Sequence, residues 1–131
     1  MDSTEHAPGE PRVHLDEQGI LCIDFSDCSR ITREAVEFAN RRHRELSPTR
    51  PSPVLVLSGQ VGRVEYPAQR YASSPEVSEK VAAMALVTHS FLQRHLARMF
   101  LMYHRPSYPV QLFADEPAAR AWLARQSEAR A

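Results

Sequence analysis

Four consecutive branched aliphatic residues, Val54, Leu55, Val56 and Leu57, stand between Pro53 and the glycine-punctuated run Ser58–Gly62. A strand with water on one face alternates apolar and polar side chains, whereas a strand covered on both faces has no reason to. So short an unbroken run, closed by proline before and glycine after, predicts a fully buried central strand. Helical patterns stand on either side of it in the chain, so the remainder is expected to wrap around it.

The flanking patterns are readable in order. Residues 1–11, with two prolines and a glycine among polar groups, are expected to be a disordered leader. Arg12–Asp16 alternates, Glu17-Gln18-Gly19 breaks, and Ile20–Phe25 resumes, which predicts a β-hairpin. Its second strand should present Leu21, Ile23 and Phe25 to one face, and Ile20, Cys22 and Asp24 to the other.

Thr32 is the expected N-cap of a helix, with Glu34 in its first turn and Ala35, Phe38, Ala39 and Leu46 on its apolar side. Pro48 stops it, and Ser47–Pro53, with three prolines, is a stiff connector into the central strand. Pro67 opens a short helix carrying Tyr71, and Ser74-Pro75-Glu76 repeats the start signal. Val81–Val87 reads as a second buried strand, its alanines leaving a helix as the alternative. Ser90 caps a helix from Phe91 to about His104, Val110–Phe113 is a strand, and Asp115-Glu116 opens a last helix that buries Trp122 and Leu123. The order ββαβαβαβα predicts one α/β domain over residues 12–128, a mixed sheet with parallel strands and an antiparallel hairpin at its edge.

This arrangement resembles the STAS domains, the SpoIIAA-like fold of anti-sigma-factor antagonists, and more closely a bacterial group of small STAS-like proteins without assigned function. The matching pieces are Ile31–Ala35, Pro53–Leu57, Ala83–Val87, Phe100-Leu101 with Arg105-Pro106, and Leu112-Phe113 followed by Asp115-Glu116. The resemblance implies a regulatory module acting through protein contacts. It also implies a phosphorylatable hydroxyl at the start of the helix after the central strand, where a phosphate would meet a helix N-terminus. The corresponding stretch here, Val64–Ala68, has no serine or threonine and carries Glu65 and Tyr66 instead. Glu65 is read first as a favourable charge at a helix start, and second as a permanent stand-in for a phosphate.

Composition narrows the function further. Sixteen basic and sixteen acidic residues cancel, so the chain lacks the basic footprint of a nucleic-acid binder. Lys80 is its only lysine and lies in a polar stretch. Cys22 and Cys28 are too few for a disulfide framework. With no signal-like leader and no run near the ~20 apolar residues of a membrane span, the expected location is the cytoplasm. The six histidines have no metal-ligand spacing, and no phosphate loop, dinucleotide fingerprint or nucleophile elbow occurs, so neither metal nor cofactor is expected. Arg41–Arg44, with Glu37 and Glu45 four residues on either side of Arg41, reads as a solvated, ion-paired helix face.

The helix from Phe91 to His104 holds more apolar surface than one packing face needs. Leu92, Leu96, Met99, Phe100 and Tyr103 form its core stripe, which Phe91 and Met102 extend sideways with His95 between them, a candidate oligomer or partner seam. Opposite the core stripe, Arg94, Arg98 and Arg105 make a basic ridge able to grip phosphate or carboxylate. The reading that follows is a non-enzymatic interaction module with a protein partner or self-association through this seam. The alternative is a carrier for a small anion or lipid near the arginines. An enzyme using Tyr66, Tyr71 or a cysteine rests only on those groups being present.

Overall fold

The computed structural model describes residues 9–59, 61–104 and 106–130, without the side chains of residues 92, 96, 100, 103, 104, 129 and 130. Its main elements are β1 (Arg12–Leu15), β2 (Leu21–Asp24), α1 (Arg33–Leu46), β4 (Ser52–Leu57), α2 (Tyr66–Ala72), α3 (Pro75–Ser78), β6 (Val81–Val87), α4 (Phe91–His104), β7 (Val110–Phe113) and α5 (Glu116–Arg130). Two further strands of two residues each, β3 (Arg30–Ile31) and β5 (Arg63–Val64), pair in parallel as a separate ribbon. The expected leader falls largely outside the described residues. Pro11, at its end, is fully buried.

The five-stranded sheet has the order β1-β2-β4-β6-β7, antiparallel between β1 and β2 and parallel elsewhere. This is the mixed α/β sheet that the alternation of strands and helices predicts, with the hairpin at its edge. Each crossover steps one strand in the same direction, and right-handed connections put α1 and the α2–α3 pair on one side. On that side Val54 and Val56 of the central strand meet Leu21, Phe25, Ala35, Ala39 and Ala68. On the other, Leu55 meets Cys22, Ala83, Ala85, Ala119, Trp122 and Leu123. Both faces of β4 are covered, which is why its residues do not alternate. β6 is a strand, and two of its three alanines, Ala83 and Ala85, leave room on this face for the indole of Trp122, whose ring centre also lies 5.8 Å from that of Phe113. Leu21, Leu55 and Leu123 are fully buried, each contributing roughly 2 kcal/mol of transfer free energy.

The buried side of α1 includes Ala35 and Ala39, with Leu46 packed against the core, as expected, but differs at Phe38, Asn40 and His43. Thr32 caps the helix, accepting from the N–H of Ala35 at 3.1 Å. The residues that go inward are Ala35, Ala39, Asn40 and His43, while Phe38 is only half-buried beneath the guanidinium of Arg41. His43, read from sequence as part of a solvated basic run, is 3% exposed, because a turn of helix from Ala39 carries it to the sheet side. Of the acidic neighbours, Glu45 pairs within the run, with Arg42 at 3.3 Å, and Glu37 pairs outside it, with Arg33 at 3.6 Å. Lys80 is likewise buried, its ammonium donating to the carbonyls of Ser47 and Arg50 at 2.6 and 3.3 Å.

Candidate interaction surface

In open sheets with parallel strands, functional groups gather where the strands end at their carboxyl edge, because the connections there leave a shaped rim. Here that rim is formed by the loop after β4, the segment from Thr88 to Ser90 after β6, and the first turn of α4. Ser58, the residue after β4, donates from its hydroxyl to the carbonyl of Val87 at 2.9 Å. Thr88 donates to Oε1 of Gln93 at 2.6 Å, and Ser90 accepts from the N–H of Gln93 at 3.3 Å, capping α4 as its position predicts. Gly59 takes φ of +50°, and a Cβ there would sit 2.7 Å from Cα of Ser26. Gly59 after the central strand is thus turn chemistry, supplying positive φ and close approach.

The loop then leads through β5 into α2. Glu65 occupies the N-cap position of α2, but its side chain makes no cap hydrogen bond. Its carboxylate lies 3.4 Å from the guanidinium of Arg30, brought alongside by the β3–β5 ribbon, and its N–H donates to the carbonyl of Ile31. Glu65 is therefore held by an arginine that its sequence neighbourhood does not show. Tyr66 beside it is 62% exposed, next to an exposed Val64.

α4 runs outward from the same rim. Phe91 is 77% exposed and Met102 73%. Met99, expected in the core stripe, is 43% exposed at its margin. His95 and Arg98 are exposed and Arg94 is half-buried. Arg105 lies outside the described residues. The apolar excess of this helix, Phe91 and Met102 with Met99 at the margin, thus reaches solvent. Among the described residues, neither Arg94 nor Arg98 forms an ion pair, and no hydrogen bond joins them to Glu65 or Tyr66.

The two thiols and the phenol of Tyr71 are held toward their protonated forms. Burial pushes the Cys22 thiol up despite the guanidinium of Arg120 at 3.5 Å, and burial with Asp27 and Asp24 pushes Cys28 up. Tyr71 lines an open cleft of about 430 Å³ between α1 and α2–α3, where Asn40 donates to its hydroxyl at 3.2 Å and the hydroxyl donates to Glu76. Burial and the Glu76 carboxylate both raise its pKa, so the phenol stays protonated. Glu37, Arg44 and Glu79 complete a cleft lined by charged and polar side chains. Among the described residues no group of three His, Cys, Asp or Glu could hold a metal ion, and no helix is long and apolar enough to cross a membrane.

Residues 14–127 match the model of a domain of unknown function, DUF7793. No curated protein matches the chain. Among solved structures, a crystal structure of a protein with unknown function from Arthrobacter sp. FB24 is 26% identical, covering 95% of this chain and 99% of that chain with a TM-score of 0.34.

Proposed function

The chain belongs to the DUF7793 family, a domain of unknown function, and we propose that it is a non-enzymatic STAS-like interaction module that binds a protein through the outward face of α4. The observation that carries this reading is the exposure of Phe91, Met99 and Met102 along one helix. Large apolar side chains scattered singly over a surface are ordinary, but aligned on one rigid element they are a contact surface. A parallel sheet with an antiparallel hairpin at its edge supports the STAS-like reading, and in that reading Glu65 takes the position of an antagonist's phosphorylatable hydroxyl. A module of this kind works without a phosphorylation switch at that position. A bacterial, cytoplasmic setting belongs to the same reading, supported by two free thiols.

The test is affinity capture from a lysate of the source cell, comparing the parent with Phe91→Asp and Met102→Asp. Loss of a captured protein in both variants, with unfolding midpoints unchanged, supports the reading. Identical capture by all three overturns it.

A further inference from the structure

We propose that the partner segment seated on α4 pairs carboxylates with an apolar stripe, and that it is another protein rather than a second copy of this chain. The inference rests on α4 being the docking face and adds the chemistry of what docks there.

At 100° per residue, Phe91 and Met102 lie within about 20° of each other on the helix, separated by roughly 16 Å along it. Arg98 and Arg94 flank that line on one side, and His95 and Met99 on the other. The sequence of α4, FLQRHLARMFLMYH, contains no aspartate or glutamate. Among the described residues, the guanidiniums of Arg94 and Arg98 also lack an ion-pair partner. The face therefore has an apolar side chain at each end, Phe91 and Met102, with Arg98 and His95 between them and Met99 to one side, and its positive charge has no ion-pair partner among the described residues.

That charge pattern decides between occupants. Two copies of α4 packed face to face would bring four arginines to a seam with no carboxylate on either helix, and like charges across an interface disfavour the pairing. An anionic lipid surface gains about 1 kcal/mol per basic residue near it. Two arginines on a chain whose net charge is zero supply little of that. A protein segment needs only local complementarity. Its apolar side chains cover Phe91, Met99 and Met102 and provide most of the affinity, and its carboxylates opposite Arg94 and Arg98 provide the choice of partner.

Two synthetic amphipathic helical peptides with the same leucine stripe, one flanked by glutamates and one by lysines, serve as probes in fluorescence anisotropy. The parent is expected to bind the glutamate peptide about tenfold more tightly, a preference that shrinks with added salt. Arg94→Glu/Arg98→Glu is expected to reverse the preference, and Phe91→Asp/Met102→Asp to abolish binding of both peptides while melting like the parent. Equal binding of the two peptides, unmoved by charge reversal, overturns the acidic partner but leaves α4 as a docking face. No binding of either peptide overturns the proposal, and the capture experiment then decides separately whether α4 docks a protein at all. Sedimentation with phosphatidylserine vesicles without peptide binding overturns it in favour of a lipid surface. A concentration-dependent dimer abolished by Phe91→Asp/Met102→Asp overturns it in favour of a second copy.

Discussion

The ammonium of Lys80 donates to the carbonyl oxygen of Ser47 at 2.6 Å, so the residue before β6 closes the end of α1. Ser47 is the C-cap of that helix, where carbonyls lack intrahelical donors and the helix dipole favours a cation. The same ammonium reaches Arg50 in the proline-rich connector at 3.3 Å, and the N–H of Ser52 donates to the Lys80 carbonyl at 3.0 Å. One buried lysine thus joins the helix end, the connector and the start of the central strand.

Replacing Lys80 by methionine keeps the stem but removes the donors, leaving helix-end carbonyls without a partner. The expected loss is about 2 kcal/mol of unfolding free energy, read from urea denaturation at neutral pH. An unchanged midpoint would show that solvent satisfies these carbonyls equally well.

His43 sits beside this lysine. Burial, then the charges of Lys80 and Arg44, lower its pKa from 6.5 to about 4, and among the described residues its Nε2 finds no hydrogen-bond partner. The folded state therefore binds fewer protons than the unfolded state between those two values. Stability is fully present above pH 6.5 and falls as the pH drops toward 4, by about 3 kcal/mol. His43→Leu is expected to flatten that part of the pH profile of the urea midpoint. A parent-like slope in the variant assigns the acid loss to other groups.

Gly59→Ala places a methyl group against the Ser26 backbone at a φ of +50°. Both the strain and the contact oppose folding, and the expected cost is about 2 kcal/mol, measured by thermal melting. Ser26→Gly, which leaves the Cα in place, is not expected to rescue the variant.

Arg120 of α5 ties the last helix to the hairpin, donating to Asp16 at 2.7 Å and Glu116 at 2.8 Å. Burial works to raise the Asp16 pKa, but the Arg120 guanidinium and the N–H groups of Ile20 and Gln18 hold it below the ordinary value of 3.8. The stabilisation from Asp16 is thus present above that value and is lost as the pH falls through the lower folded one. Asp16→Asn should lower the unfolding free energy by about 1–2 kcal/mol at pH 7 and converge with the parent in strong acid. A gap that persists in acid would assign the cost to packing instead.

Much of the architecture is legible in the chain because its signals are local. Thr32 and Ser90 cap the helices they precede, Pro48 bounds α1, and the split of Leu21 and Phe25 from Ile20 and Cys22 follows from the strand period. The β3–β5 ribbon is not legible, since two-residue strands are too short to show a period, and Arg30 therefore meets Glu65 without warning. His43 lies within the run Arg41–Arg44, whose charge suggests a solvated face, yet one residue of such a run can turn inward while its neighbours stay in water.

The candidate surface divides in the same way. That α4 carries more apolar residues than one face needs, and arginines opposite its core stripe, is a matter of spacing along the chain. Whether the excess is buried depends on how much of the helix its neighbours cover, and in the tertiary structure Phe91 and Met102 stay in water. Periodicity is a property of one element and can be read from sequence. Burial is a property of the space between elements, and only the assembled fold decides it.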